Sequence, residues 1–176
     1  MDSLAAQPPL PIRVALAAFV LVALFMAGGC ASKTVLPPPG AQPAKVRSQP
    51  ASSKAAPIIR TARRMIGAPY KWGGQSPNTG FDCSGLVWFA YHQHGITLPR
   101  ISWQQFNAGT PVKYNQIRPG DLIFHKVEKG KKSLHVGIVT DRGTFVHSPS
   151  SGKRVMESSL NNTYWRTHYV GARRIL

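Results

Sequence analysis

The chain has 176 residues, 22 Lys plus Arg against 6 Asp plus Glu, a formal net charge of +16, and two cysteines. At about 150 residues per domain, that length allows one ordinary domain with a tail. Two cysteines exclude a disulfide scaffold and a cysteine-built zinc finger, and the charge predicts an anionic partner: nucleic acid, an acidic lipid surface or an acidic polymer.

Residues 14–27 are apolar and carry no charge. A bilayer span needs about 20 apolar residues. This shorter run instead fits the apolar region of an export signal. Ala27-Gly28-Gly29 then precede Cys30. The arrangement resembles the bacterial lipoprotein processing site, although leucine is usual where Ala27 stands. The resemblance implies that residues 1–29 are a signal peptide and that Cys30 becomes the acylated first residue. More than one acyl chain anchors stably where one does not. Ala31 after the cysteine resembles the pattern delivered to the outer membrane of Gram-negative bacteria. A plain signal peptide with an incidental cysteine is the other reading. Residues 30–57 are rich in Pro, Ala, Ser and Gln and carry no acid. They have almost nothing to bury and form a tether, part extended and part flexible.

Residues 58–176 then make one small domain. Ile58, Ile59, Ala62, Met65 and Ile66 recur at helical spacing between arginines, and Gly67 and Pro69 stop that helix. Residues 70–81 hold Gly73-Gly74, Pro77, Asn78 and Gly80 and are expected to be loop. Asp82 or Cys83 opens a second helix, apolar on several sides and therefore buried, which Gly95 ends. A third, short helix is expected over 102–108 with Ser102 as its cap. From there the pattern turns to strands, at 121–127, 135–140, 144–148, 154–158 and 169–175. Helices first and strands afterwards predict an α+β domain with helices on an antiparallel sheet.

Cys83 is the domain's lone cysteine, and it starts a helix after a Gly-rich loop. Free N–H groups and the helix dipole stabilise a thiolate there and lower its pKa, and the same groups hold a developing oxyanion. An inert buried cysteine is the alternative. A cysteine nucleophile needs a base. His135 opens one apolar strand and His147 closes the next, with Asp141-Arg142-Gly143 as the turn between them. A hairpin centred on Asp141 sets the two histidines opposite each other on one face. One then takes the thiol proton while the other orients it. His92, His94, His125 and His168 read as surface or core residues. A zinc site on Cys83, His135 and His147 is the rival chemistry, but the C-x-x-C and H-E-x-x-H spacings are absent.

Tyr70-Lys71-Trp72-Gly73-Gly74, Asp82-Cys83-Ser84-Gly85, Arg118-Pro119-Gly120-Asp121-Leu122, His135-Val136-Gly137-Ile138 and Phe145-Val146-His147 together resemble the NlpC family of bacterial cell-wall cysteine peptidases. The similarity is strongest to its Spr (MepS) type of murein endopeptidase lipoprotein. The resemblance implies a minimal papain-like fold and no cofactor. It makes Cys83 the nucleophile, His135 the base and His147 the polar residue that orients it. It also gives Tyr70 an oxyanion-binding hydroxyl and Trp72 a place beside the cleft. Asp121 shapes a turn. Two features depart from the family. His125 stands where an apolar strand residue is usual, and residues 127–133 form a basic loop of unassigned role. The implied activity is hydrolysis of peptide bonds in peptidoglycan stem peptides or cross-links by a monomeric domain, at the periplasmic face of the outer membrane. Those peptides are rich in carboxylates, as the charge requires. Nucleic acid does not fit an exported chain. A wall-binding or scaffolding lipoprotein without turnover is the alternative.

Overall fold

In the computed structural model, the structure describes residues 50–127 and 134–176. The residues read as signal peptide, Cys30, most of those read as tether and nearly all of the expected basic loop lie outside the described residues. Helix α1 (Ala55–Arg64) starts inside the stretch read as tether, because Ala55 is fully buried and Pro57 suits a first helical turn. Its apolar face (Ile58, Ile59, Ala62) packs on α2 (Cys83–His92). Between them, residues 70–81 are not all loop. Strands β1 (Gln75–Ser76) and β2 (Gly80–Phe81) make a small hairpin. Of the residues that signalled a loop, Pro77 and Asn78 form the turn of this hairpin, Gly73-Gly74 precede it and Gly80 opens β2. Helix α3 (Ser102–Gln105) is shorter than expected, and Ile101 holds its cap position, so Ser102 is the first helical residue and caps nothing.

The six-stranded sheet is antiparallel, in the order β3-β8-β4-β5-β6-β7. Its strands are β3 (Thr110–Val112), β4 (Leu122–His125), β5 (His135–Val139), β6 (Thr144–His147), β7 (Met156–Ser159) and β8 (Tyr169–Arg174). Strand β3 and helix α4 (Thr163–Thr167) carried too little periodic pattern to be read beforehand. The alternation of strand side chains gives the sheet two apolar faces. Leu122, Phe124, Val136, Ile138 and Val146 join the helices in the main core. Ile123, Val139, Phe145 and Ala172 form a second cluster that Trp165 and Tyr169 partly cover. Asp121 accepts the Arg118 amide at 2.8 Å and pairs with Arg174, the turn-shaping role expected of it.

Candidate active site

Strand β2 delivers the chain directly to α2, whose first residue is Cys83. Asp82 caps the helix: its Oδ1 accepts the Gly85 amide at 2.6 Å. Arg100 grips the same carboxylate at 2.9 and 2.8 Å and also donates to the Gly74 carbonyl. Gly85 has no side chain because the Gly74 carbonyl oxygen lies 2.1 Å from where a Cβ would stand. The Gly-rich loop, the cap and the first helical turn are thus one unit. Tyr70 runs beside β2, bridged to Phe81, and its amide donates to the Lys153 carbonyl at 2.9 Å. Trp72 stands at the tip of that loop, 84% exposed.

The Cys83 sulfur faces the amides of Val136, Ser84 and Cys83 itself. Val136 directly follows His135, so the thiol lies against the strand that carries the expected base. Cys83 is half-buried as a residue, but packing around its sulfur pushes the thiol up to about 11. The lowered pKa expected of a helix-start cysteine is therefore not found: the three amides pull it down, and desolvation outweighs them. Burial acts on His135 in the opposite sense and holds its imidazole down at about 4. At rest the site holds a neutral thiol and a neutral imidazole, not hydrogen-bonded to each other.

His135 and His147 do meet. His135 Nε2 and His147 Nδ1 are 2.8 Å apart, and His147 Nε2 lies 2.8 Å from Ser158 Oγ. The register differs from the one expected. Ile138 faces Val146 and Val139 faces Phe145, so the hairpin is centred on Arg142 and the histidines sit diagonally. A shift of two residues keeps them on the same face. Gly137 makes the diagonal approach possible, since a Cβ there would lie 2.6 Å from the Phe145 ring and 3.2 Å from the His147 Cβ. The hydrogen bonds leave Nδ1 of His135 as the nitrogen to exchange a proton with the thiol. That role requires Nε2–H of His135 to donate to His147 Nδ1, and Nε2–H of His147 to donate to Ser158.

Three participants were missed in the sequence. Ser158 sits in an undistinguished strand. Trp165 lies on α4, and its ring stacks on His135 (5.3 Å, 20°) and meets His147 edge-on (4.9 Å, 81°). Gly137 carried a usable signal, because a glycine inside a strand marks a close approach. His125 is the strand partner of His135, 1% exposed, with Nδ1 unpartnered. His92 and His94 are at the surface, as expected. Among the described residues, no three His, Cys, Asp or Glu side chains gather as a metal site, so Cys83, His135 and His147 do not form the zinc triad that the rival chemistry needs.

The NlpC/P60 family model matches residues 67–174. The chain belongs to the NlpC/P60 family. It is similar to the probable endopeptidase NlpC of Escherichia coli K12, 36% identical over 157 residues, 89% of this chain and 97% of that one. It also matches the murein DD-endopeptidase MepH of that organism, 40% identical over 116 residues, 64% of this chain and 43% of the relative. A solved NlpC/P60 family protein from Bacillus cereus ATCC 10987 superposes with a TM-score of 0.64 at 40% identity, covering 69% of this chain and 40% of that one. This NlpC/P60 chain spans less than half the length of several relatives it matches. The α+β, papain-like architecture implied by the sequence is the one observed.

Proposed function

We propose that this NlpC/P60 chain is a peptidoglycan endopeptidase that cleaves peptide bonds of stem peptides or cross-links by a Cys–His–His mechanism. We further propose that acylated Cys30 tethers it at the periplasmic face of the outer membrane. The observation that carries the mechanism is the hydrogen bond of 2.8 Å between His147 and His135, which lies on the strand against which the Cys83 sulfur rests. In the reaction, the Sγ–H proton passes to His135 Nδ1 and the sulfur attacks the scissile carbonyl carbon. The negative charge on the carbonyl oxygen is met by first-turn amides of α2 and by the Tyr70 hydroxyl. The departing amine takes the proton from His135, and water, deprotonated by His135, hydrolyses the thioester. The formal charge of +16 draws in a carboxylate-rich polymer.

Relatives carry names for different bonds, such as murein DD-endopeptidase and gamma-D-glutamyl-L-lysine dipeptidyl-peptidase. The bond cut by this chain is read by digesting purified sacculi and identifying the released muropeptides by mass spectrometry. A thiol alkylator is expected to stop release and EDTA to leave it unchanged. Binding to sacculi without release would establish the scaffolding alternative, and loss with EDTA restored by zinc would establish a metal hydrolase. For the tether, the mature chain is expected to begin at an acylated Cys30, and an unmodified Cys30 contradicts it.

A further inference from the structure

Helix α4 is five residues long, and Trp165 alone of its side chains is half-buried while the other four are exposed. The helix thus has one packing function, to present this indole. Asn162 Oδ1 caps it, accepting from the Tyr164 amide at 2.9 Å and the Trp165 amide at 3.4 Å. Tyr164 and Phe145 meet the indole edge-on at 5.0 and 5.2 Å. Held from those sides, the ring lies nearly parallel to His135 at 5.3 Å and edge-on to His147 at 4.9 Å.

Resting on the proposed Cys–His–His chemistry, we infer that Trp165 is a positioning residue for His135, whose indole face fixes the imidazole plane and supports the positive charge that the ring acquires with the thiol proton. A cation within about 6 Å of an indole centroid is attracted by the negative face of the ring, most strongly when water is excluded. The burial of His135 is what makes such support matter: the imidazolium has little water to stabilise it. The bond changes are those of the proton transfer alone. Sγ–H breaks, Nδ1–H forms, and the resulting thiolate and imidazolium leave the net charge unchanged. The other titratable groups bearing on the cluster are His147 on β6, His125 on β4, His168 beyond α4 and Lys153 in the β6–β7 loop. Lys153 and His168 act against a positive charge on His147 and His125, whereas His147 Nδ1 accepts from the Nε2–H of His135 and the indole face of Trp165 adds to that support.

The test uses Trp165→Leu, which keeps apolar bulk without the π face, and Trp165→Phe, which restores a face. The first readout is the rate of Cys83 alkylation by iodoacetamide at neutral pH, which reports the thiolate–imidazolium pair and needs no wall substrate. Trp165→Leu is expected to slow alkylation about tenfold, a value within the range of a desolvated cation–π contact, and Trp165→Phe to recover at least half of the wild-type rate. A side chain that merely fills space predicts the opposite sign, because loosening the site admits reagent faster. The second readout is hydrolysis of muropeptides, normalised to titrated thiol. Here kcat is expected to fall by the same factor in Trp165→Leu, with KM changed less than twofold. Alkylation of Trp165→Leu as fast as wild type, or of Trp165→Phe as slow as Trp165→Leu, overturns the inference. Slowed alkylation in a chain whose wild type cleaves no wall peptide would refute the proposed function and leave the ring contact standing.

Discussion

His135 divides its two nitrogens between two tasks, and the division predicts unequal losses. In the proposed mechanism Nδ1 takes the thiol proton, while Nε2 is held 2.8 Å from His147. Removing His135 deletes the base, worth about 10² to 10⁴ in rate, and the partner of the thiolate with it. Asn at position 147 still offers an acceptor to Nε2–H. The expected order of initial rates on muropeptides is therefore wild type, His147→Asn, His147→Ala, His135→Ala, with circular dichroism confirming each fold. A folded His147→Asn as inactive as His135→Ala would contradict the division. His125 poses a different question at the same scale. It occupies an apolar position of the family pattern, its Nδ1 is buried without a partner, and burial holds its pKa down at about 3. A buried polar atom left unpaired costs about 1 to 3 kcal/mol. His125→Leu is expected to leave stability at pH 7 unchanged or raised by about 1 kcal/mol in urea unfolding. A loss above about 2 kcal/mol would mean that the ring contacts to Phe145 and Trp165 outweigh the orphaned nitrogen.

The hairpin β5–β6 shows how an element was legible in kind and illegible in detail. Short apolar runs on either side of Asp141-Arg142-Gly143 identified two strands and the turn between them. The register needed the turn geometry: Thr140 donates to the Thr144 carbonyl at 2.9 Å, leaving three loop residues with Gly143 at positive φ. A three-residue loop ending in a left-handed glycine is a standard hairpin closure, and it moves the centre from Asp141 to Arg142. The parity of the strand preserved the face, so the histidine pair was found despite the wrong partners. Trp165 and Ser158 had no such signal: α4 is too short to show a periodic pattern, and a serine in the edge strand β7 is unremarkable although it lies near His147 in sequence. For α2, a helix-start cysteine was visible in the sequence, but the sign of its pKa shift was not. Burial of the sulfur depends on β5 packing over it, which no local pattern records. Gly137 belongs to this scale too. Gly137→Ala sets a methyl against Phe145 and is expected to cost about 1 to 3 kcal/mol, as overpacking does. It is also expected to lower kcat at least tenfold by displacing His147. Full activity in Gly137→Ala would show that the hairpin yields without moving the ring.

Across the whole domain, three histidines folded in neutral form govern acid stability. His125, His135 and His147 all have pKa values lowered from 6.5, chiefly by burial. Below pH 6.5 the unfolded chain binds protons that the folded chain refuses, so stability falls as pH drops from 6.5 towards about 4. Each proton contributes on the order of 1.4 kcal/mol per pH unit, and three together give a steep slope. Glu157, also lowered, acts only below its ordinary 4.5 and lies outside most of that window. Urea midpoints measured from pH 7.5 to 4.5 are expected to decline through the window, and a flat profile would contradict neutral burial. Activity follows separate logic. His135 stays deprotonated down to about pH 4, so rates on folded protein are expected to hold to about pH 5 and fall below it. The expected changes in rate all rest on one sulfur doing the chemistry. The most direct measurement is release of muropeptides from purified sacculi by Cys83→Ala beside wild type, with matched circular dichroism spectra. The account predicts release at background level from the folded variant. Release at the wild-type rate would contradict it.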